Sequence, residues 1–283
     1  LVVGGLADAD HARAHGISEN LLGWERWLKR QGVQGFALMI GPDKPRIYAT
    51  HLPGWVSLVG VPRIRGLVSG SAQHVVSDPG PELMRMSTQA ATPTYYRTDS
   101  HWNPWGGAIS LNALKRTLHG QGVTLDWPFS DPPAILETHG GEGGDLARFL
   151  RIQASIHEQA PMPLLRTQGA LSSELRDTAT GELLKADPKA ALLFPRQIVK
   201  VTSQGAANDK KVLWLRDSFG SAQATSVYAT FSEVVQTHWQ VALAKKAAPL
   251  VAMVKTHQPD IVLMTVVERA ALSELFLTPP PKD

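Results

Sequence analysis

The 283-residue chain contains no cysteine and no long apolar run. The lack of cysteine excludes disulfides, a thiolate nucleophile and a cysteine-ligated zinc site. Without a run of about 18 apolar residues, no segment is expected to cross a bilayer. Charge is nearly balanced, because 28 Lys and Arg against 25 Asp and Glu give a net charge of +3. We therefore expect no nucleic-acid partner, although a weakly basic protein could still favour an acidic polysaccharide.

The composition is that of a folded globular protein, with 43% hydrophobic and 19% charged residues. The length fits one large α/β domain or two modest ones. We expect a single domain over residues 1–283, with an insertion near 155–205, where apolar periodicity is weakest. The chain opens at Leu1 rather than at Met. This leaves a removed signal or a membrane tether outside this stretch as an open alternative.

The first third of the sequence predicts a helix followed by a strand. Apolar residues at helical spacing indicate a helix over 20–31, and the apolar run 33–40 indicates a buried strand. Short apolar runs between 54 and 77, such as 56–59, favour further strands. His11 and His15 have a spacing that could place two imidazoles on one helix face. Because they lie in a polar stretch without a neighbouring Glu, we expect no metal there.

The middle of the sequence predicts one clear helix and a long connection. Asn103 is a good N-cap and Pro104 suits the first helical position, so a helix is expected through Leu118. The Gly- and Pro-rich stretch 120–145 is interpreted as a surface connection. Its segment 138–145 lacks the Lys-Ser/Thr of a phosphate-binding P-loop, so we interpret it as a flexible loop that ends in a short helix beginning near 145.

The last 75 or so residues have the most regular pattern. They predict strands at 212–215, 233–237 and 260–267, which alternate with helices at 218–230 and 247–257. Strands with almost uninterrupted apolar character, separated by helices, are typical of a parallel sheet covered on both faces. The sequence therefore favours an α/β fold.

Ser218 is a candidate nucleophile. It follows the predicted strand 212–215 and begins the next helix. Active sites of parallel α/β sheets form at the carboxyl ends of strands, where the unpaired N–H groups of a helix start can stabilise an oxyanion. The alternative is that Ser218 only caps the helix, as serine often does.

Asp99 and His101 could complete a Ser-His-Asp acyl-transfer site. In an extended chain, side chains two residues apart project to the same side, so the carboxylate could hold one imidazole nitrogen while the other faces a nucleophile. The alternative is a loop histidine that hydrogen-bonds a nearby Asp. Together with Ser218, these residues supply a nucleophile, a general base and its orienting carboxylate.

Four segments resemble the alginate O-acetyltransferase family (AlgX/AlgJ-like proteins). Residues 95–103, Tyr-Tyr-Arg-Thr-Asp-Ser-His-Trp-Asn, are similar to the histidine signature of that family. Residues 215–220 are similar to its Asp-Ser-Phe nucleophile block, and 259–269 to its closing strand. The Gly-Asp-Leu at 144–146 matches a motif that follows the histidine.

The resemblance implies an SGNH-hydrolase-like three-layer fold with a mostly parallel sheet and no metal or organic cofactor. It implies acetylation of a polysaccharide exported through the bacterial periplasm, by a protein that is free or anchored to the inner membrane. A membrane-bound O-acyltransferase would supply the acetyl groups. Ser218 would be the nucleophile, His101 the general base and Asp99 its orienter. Contacts with the substrate are expected from Tyr96, Arg97, Trp102 and Arg216.

Two features differ from the pattern of many relatives. Arg216 stands where many SGNH enzymes have Gly before Asp-Ser. Since no carbohydrate-binding segment follows in this sequence, we expect polymer affinity to come from the active-site face. Two alternatives stay open: an acetylesterase with the same triad, in which water resolves the intermediate, and a non-catalytic polysaccharide-binding scaffold of a secretion complex.

Overall fold

The structure is a computed structural model, which describes residues 8–56, 64–167, 169–186 and 195–282. Its helices are α1 (Asp8–Arg30), α2 (Lys44–Ile47), α3 (Arg65–Val68), α4 (Gly80–Gln89), α5 (Pro104–Gly120), α6 (Asp145–Phe149), α7 (Ala224–Thr230) and α8 (Trp239–His257). Its strands are β1 (Gly35–Gly41), β2 (Val76–Ser77), β3 (Ile135–Glu142), β4 (His157–Pro163), β5 (Ser172–Asp177), β6 (Leu183–Ala186), β7 (Val199–Gln204), β8 (Asn208–Arg216), β9 (Phe231–Thr237) and β10 (Ile261–Val267).

An eight-stranded sheet in the order β2-β1-β10-β8-β9-β7-β5-β6 forms the centre of the described structure. The first five strands pair in parallel, and β7, β5 and β6 extend the sheet by antiparallel pairing. The strands β1 and β10 are buried throughout and, apart from Thr265, carry no polar side chain, as expected for strands covered on both faces.

Helices cover the two faces of the sheet. Alternate residues of β1 point to opposite faces, so Leu38 packs with Leu28 of α1 and Leu250 of α8. Its neighbour Met39 packs on the other face with Ile109 of α5. The predicted three-layer α/β fold with a mostly parallel sheet is therefore confirmed. Among the described helices, none combines the length and the apolar character that crossing a bilayer requires.

Two predictions for the first half of the chain are wrong. Within 54–77, the described part from 64 to 75 is mainly helical and only Val76–Ser77 is a strand, while most of the run 56–59 lies outside the described residues. The predicted connection 120–145 contains β3, which pairs with β4 in a separate antiparallel sheet. The division into one domain with an insertion near 155–205 stays a prediction, and β4, β5, β6 and β7 come from that stretch.

Candidate active site

Ser218 lies at the carboxyl end of β8, in a turn fixed by the side chain of Asp217. One carboxylate oxygen of Asp217 accepts the N–H of Phe219 at 2.9 Å, and the other accepts the N–H of Val267 at 2.8 Å. The first bond caps the 3₁₀ helix Ser218–Gln223, and the second joins the turn to the end of β10. The Ser218 hydroxyl is thereby positioned at the edge of the sheet where parallel α/β proteins place their sites.

The segment that carries His101 is a closed turn between α4 and α5. Tyr95 and Trp102 form an isolated antiparallel bridge across its base. The N–H of Tyr96 donates to the carbonyl oxygen of His101 at 3.3 Å. Asn103 then caps α5 by accepting the N–H of Gly106, as its sequence position predicted. The turn projects Asp99 and His101 toward the end of β8.

The structure brings Asp99, His101 and Ser218 together. Nε2 of His101 lies 2.7 Å from Oγ of Ser218, and Nδ1 lies 2.5 Å from Oδ1 of Asp99. The same Asp99 oxygen accepts the backbone N–H of His101 at 2.8 Å. The contact between Nδ1 and the Asp99 carboxylate favours the tautomer with a proton on Nδ1, which leaves Nε2 free to accept the serine proton.

The pKa of Asp99 is set by opposing effects. Burial alone would raise it, but hydrogen bonds from the His101 side chain and from the backbone N–H groups of Asp145 and His101 lower the pKa to about 2. The carboxylate is therefore ionised throughout the neutral range. An ionised Asp99 can hold His101 in place and stabilise the imidazolium that forms when the histidine takes a proton.

The start of α6 supports Asp99 from the other side. The N–H of Asp145 donates to Oδ2 of Asp99 at 2.9 Å, while the Asp145 carboxylate accepts the N–H of Ser100 at 2.7 Å. Gly144 is needed here, because a Cβ at this position would lie 2.3 Å from Asp99. The interpretation of 138–145 as a flexible loop is therefore wrong, since this segment forms β3 and the support of Asp99.

Lys44, which sequence analysis did not single out, fixes the backbone of the histidine turn. Its ammonium donates to the carbonyl oxygens of Tyr96, Arg97 and Asp99 at 2.7, 3.0 and 3.0 Å. Burial lowers the pKa of Lys44, and the nearby carboxylates of Glu158, Asp99 and Asp145 oppose that shift. Lys44 lies between Pro42 and Pro45 and begins α2, and this local sequence does not indicate the role.

Glu158 holds the same turn on its N–H side. Its carboxylate accepts the N–H of Thr98 at 3.0 Å, and it also hydrogen-bonds the N–H of Arg97 and the hydroxyl of Thr98. Glu158 belongs to β4, so the β3–β4 hairpin is joined directly to the catalytic turn. Lys44 therefore binds carbonyl oxygens of the histidine turn, and Glu158 binds N–H groups of the same backbone segment.

Replacing Lys44 with methionine should lower the kcat of ester hydrolysis by about 10²-fold with little change in KM, because His101 would lose its fixed position relative to Ser218. Lys44→Arg, which keeps the charge and donors, should recover part of the loss. Lys29→Met is the control, since Lys29 is exposed on α1 and its ammonium forms a salt bridge with Glu25. Steady-state kinetics with a nitrophenyl acetate checks this expectation. An unchanged kcat in Lys44→Met would contradict it.

A cavity of about 480 Å³ opens above Ser218 and His101. The β3–β4 hairpin forms one wall and the start of the 3₁₀ helix forms another. The lining residues are Tyr96, Asp99, His101, Trp102, Pro104, His139, Gly140, Gly141, Glu142, Gly144, Glu158, Ala160, Met162, Ser218, Ser221 and Ala222. The volume suits a ligand of the size of a sugar residue or a small acyl group.

Two of the four predicted substrate contacts require correction. Trp102 borders the cavity but is fully buried, with Nε1 donating to the carbonyl oxygen of Phe219 at 2.7 Å. Arg216 is also fully buried, and its Nε donates to Gln236 at 2.8 Å. Neither side chain offers a surface on which a polymer could lie.

The other two predicted contacts are accessible. Tyr96 is half-buried and lines the cavity, and Arg97 is exposed beside it but outside the lining residues. Burial raises the pKa of Tyr96 to about 12, with Asp99 and Glu158 adding to the shift, so its hydroxyl remains protonated. Substrate binding by Tyr96 and Arg97 stays a prediction.

Among the described residues, one trio has the spacing that could hold a metal ion. Ligand atoms of Asp99, His101 and Asp145 lie within 4.8 Å of one another. All three side chains form hydrogen bonds: Asp99 with His101, and Asp145 with Ser100. These contacts hold the histidine turn together. The other candidate pair, His11 and His15, lies exposed on α1.

The chain matches a known protein family over residues 6–194, which is more than half of its length. That family is described as SGNH hydrolase-like domain, acetyltransferase AlgX. The matched range contains Asp99 and His101 and ends before Ser218. The structure, rather than the family match, places the serine beside them.

A curated relative is the probable alginate O-acetylase AlgJ of Azotobacter vinelandii, which is 25% identical over 225 residues. The match includes 74% of this chain and 54% of the relative. The chain therefore spans about half of the length of that relative.

Three solved structures share the fold. Bacillus cereus PatB1 aligns with a TM-score of 0.64 at 15% identity, covering 96% of this chain and 93% of PatB1. A DHHW family protein from Eubacterium siraeum gives 0.62 at 16% identity, with coverages of 99% and 92%. The O-acetyltransferase domain of Pseudomonas putida AlgJ gives 0.54 at 16% identity, with coverages of 96% and 87%. These likenesses show the fold. The family match over more than half of the chain establishes that the chain belongs to the AlgX family of SGNH hydrolase-like acetyltransferase domains.

Proposed function

We propose that this protein is an O-acetyltransferase that modifies hydroxyl groups of an exported bacterial polysaccharide. The observation that carries the proposal is the hydrogen-bonded series from Asp99 through His101 to Oγ of Ser218, with distances of 2.5 and 2.7 Å. Serine, histidine and aspartate in this order of contact form the machinery of acyl transfer on unrelated folds.

The first half-reaction would form an acetyl ester on Ser218. His101 takes the Ser218 proton at Nε2 as Oγ attacks the acetyl carbonyl carbon of the donor. The tetrahedral intermediate collapses, the donor's bond to the acetyl group breaks, and the leaving group receives the proton from His101. Asp99 stabilises the imidazolium between these steps.

The second half-reaction would transfer the acetyl group to the acceptor. A sugar hydroxyl enters the cavity, His101 removes its proton, and the alkoxide oxygen attacks the ester carbonyl carbon on Ser218. Collapse forms the sugar acetate and breaks the bond to Oγ, which takes the proton back from His101. The scheme gives ping-pong kinetics and needs no further cofactor.

The setting of the reaction belongs to the same proposal. The family resemblance supports a periplasmic protein that receives acetyl groups through a membrane-bound O-acyltransferase. It also supports anchorage of the protein to the inner membrane. The polysaccharide would be bound at the cavity face, where Tyr96 and Arg97 are accessible.

An acceptor experiment tests transfer against hydrolysis. A nitrophenyl acetate would acylate Ser218, and mass spectrometry would follow acetylation of a broad panel of oligosaccharides. We expect partitioning between sugar ester and free acetate that depends on the acceptor concentration, because a bound hydroxyl competes with water at high effective concentration. Ser218→Ala should abolish both products. Free acetate as the only product across the whole panel would replace the transferase with the esterase.

A further inference from the structure

The cavity above Ser218 is lined by carboxylates, and its described lining residues include neither lysine nor arginine. Asp99, Glu142 and Glu158 contribute carboxylates, and the remaining titratable side chains with nitrogen atoms are His101 and His139. Asp and Glu are the residue types that carry negative charge near neutral pH. Asp99 bonds His101 and Glu158 bonds the backbone of the histidine turn, which leaves the Glu142 carboxylate at the cavity wall to meet the acceptor.

Lys44, Arg97 and Arg269 are cations near the histidine and serine turns, and none of them is among the described lining residues. Lys44 attracts the Asp99 and Glu158 carboxylates, which further leaves Glu142 as the lining carboxylate that an acceptor would meet, while Arg97 could contact the polymer beyond the acetylated residue. The ammonium of Lys44 donates to three backbone carbonyls behind the histidine turn. Arg97 is exposed outside the lining residues, and Arg269 hydrogen-bonds the carboxylate of Asp43. The formal net charge of +3 thus says little about the charge that an acceptor meets next to Ser218.

We propose that the sugar residue acetylated at this site carries no carboxylate or other anionic group. The inference rests on the proposed transferase function and names its acceptor class: a polymer of neutral sugars, with hydroxyl or acetamido substituents. It separates this protein from relatives whose names refer to alginate, which is a polymer of uronic acids.

The lining chemistry suits neutral sugars. Carboxylates only accept hydrogen bonds, and sugar hydroxyls and amide N–H groups can donate to Glu142 at the cavity wall. A uronate at the same place offers no additional donor and adds like-charge repulsion, which is strong at short range and is screened beyond about 8 Å in physiological salt. The wall itself leaves room for a ring, since a Cβ added at Gly141 would meet nothing within 4 Å.

Matched pairs of oligosaccharides test the proposal with the complete chain. A β-1,4-linked glucan hexamer and the glucuronan hexamer of the same linkage differ at C6, where the glucan has a hydroxymethyl group and the glucuronan a carboxylate. Transfer is therefore compared at the O2 and O3 hydroxyls, which both members carry, by locating the acetyl groups with fragment mass spectra. Pairs with other linkages extend the panel. With a nitrophenyl acetate as donor, we expect initial transfer to the neutral member to be about tenfold faster, as one close like-charge contact would cause. Added salt should narrow the difference by accelerating transfer to the uronate.

A charge-neutral variant links the preference to the cavity. Glu142→Gln keeps the shape of the side chain and should raise the ratio of uronate to neutral transfer about threefold, by removing one repulsive charge. Glu174→Gln, a change of an exposed residue on the distant strand β5, should leave the ratio unchanged.

Three results would overturn the inference. Equal or faster transfer to the uronates would do so while leaving the transferase function intact, and so would an unchanged ratio in Glu142→Gln. If no member of any pair is acetylated while Ser218-dependent ester hydrolysis continues, the transferase function itself fails, and the acceptor class fails with it.

Discussion

Replacing Ser218 with alanine should slow hydrolysis of a nitrophenyl acetate by at least about 10³-fold. The variant lacks the oxygen that would form the acyl-enzyme, and His101 would have no hydroxyl to activate. His101→Ala should lower the rate of hydrolysis by a similar factor, because the serine would keep its proton and remain a weak nucleophile. Steady-state rates, followed by release of nitrophenol and corrected for spontaneous hydrolysis, measure both effects.

Asp99→Asn should lose somewhat less activity than either of these variants. The amide keeps the shape of the side chain but no longer stabilises the imidazolium or favours the required tautomer of His101. Ser71→Ala is a suitable control, because Ser71 is exposed and bonds Glu19 on the opposite helical layer. Full activity in Ser218→Ala would show that the nucleophile is elsewhere and would remove the basis of the proposed mechanism.

The regular part of the fold could be predicted because its apolar pattern is local. The run 212–215 lies inside β8, and 260–267 differs from β10 by one residue at its start. The run 212–215 and the strand β10 are buried on both faces, so their apolar character is nearly uninterrupted and easy to recognise. The helix predicted at 218–230 begins instead as a 3₁₀ helix and becomes α-helical only at Ala224.

The β3–β4 hairpin could not be predicted from its sequence. The residues of β3 are mostly exposed, so no alternation of buried and exposed positions marks the strand, and Gly140 and Gly141 favour the interpretation as a loop. Backbone pairing with β4, which begins fifteen residues after the end of β3, stabilises it. This strand nevertheless forms a wall of the cavity above Ser218, so local sequence patterns do not indicate that wall.

Asp99 and His101 could be selected as candidates from their spacing, but the way in which they meet could not be predicted. Extended geometry was expected to align Asp99 and His101, whereas the chain turns and Asp99 accepts the His101 N–H as well as contacting its ring. The supporting residues Lys44, Asp145 and Glu158 come from three distant segments. Only the assembled fold brings them to one turn. The Gly-Asp-Leu motif at 144–146 drew attention to Asp145, whereas no local pattern identified Lys44 or Glu158.

Trp102 illustrates how proximity in sequence can mislead. An aromatic residue beside a catalytic histidine is a reasonable candidate for stacking on a sugar. The bridge between Tyr95 and Trp102 instead turns the indole inward, where its ring centre lies 5.0 Å from that of Phe219. Trp102 therefore packs against Phe219 and supports the turn that carries Ser218.

Trp102→Ala should lower the free energy of unfolding by about 3–5 kcal/mol, the range for truncating a large buried aromatic side chain. The substitution opens a void beneath Phe219 and leaves the Phe219 carbonyl without the indole N–H that it accepts at 2.7 Å. Urea unfolding followed by circular dichroism would measure the loss. Trp102→Phe is the matched variant, since it retains most of the ring volume but not the donor, and it should lose less than half as much.

The kinetic consequence separates the supporting role from a stacking role. Because Phe219 follows Ser218 directly, loosening its packing disturbs the nucleophile itself, and acylation is common to both reactions of the acetyl-enzyme. Hydrolysis of a small ester and transfer to a sugar should therefore fall by the same factor in Trp102→Ala, measured where the variant is still folded. If Trp102 instead stacked on the sugar, its loss would lower only the rate of transfer to the acceptor and not the rate of ester hydrolysis. Transfer that falls at least about tenfold more than hydrolysis, in a variant of nearly unchanged stability, would place the indole against the sugar after all.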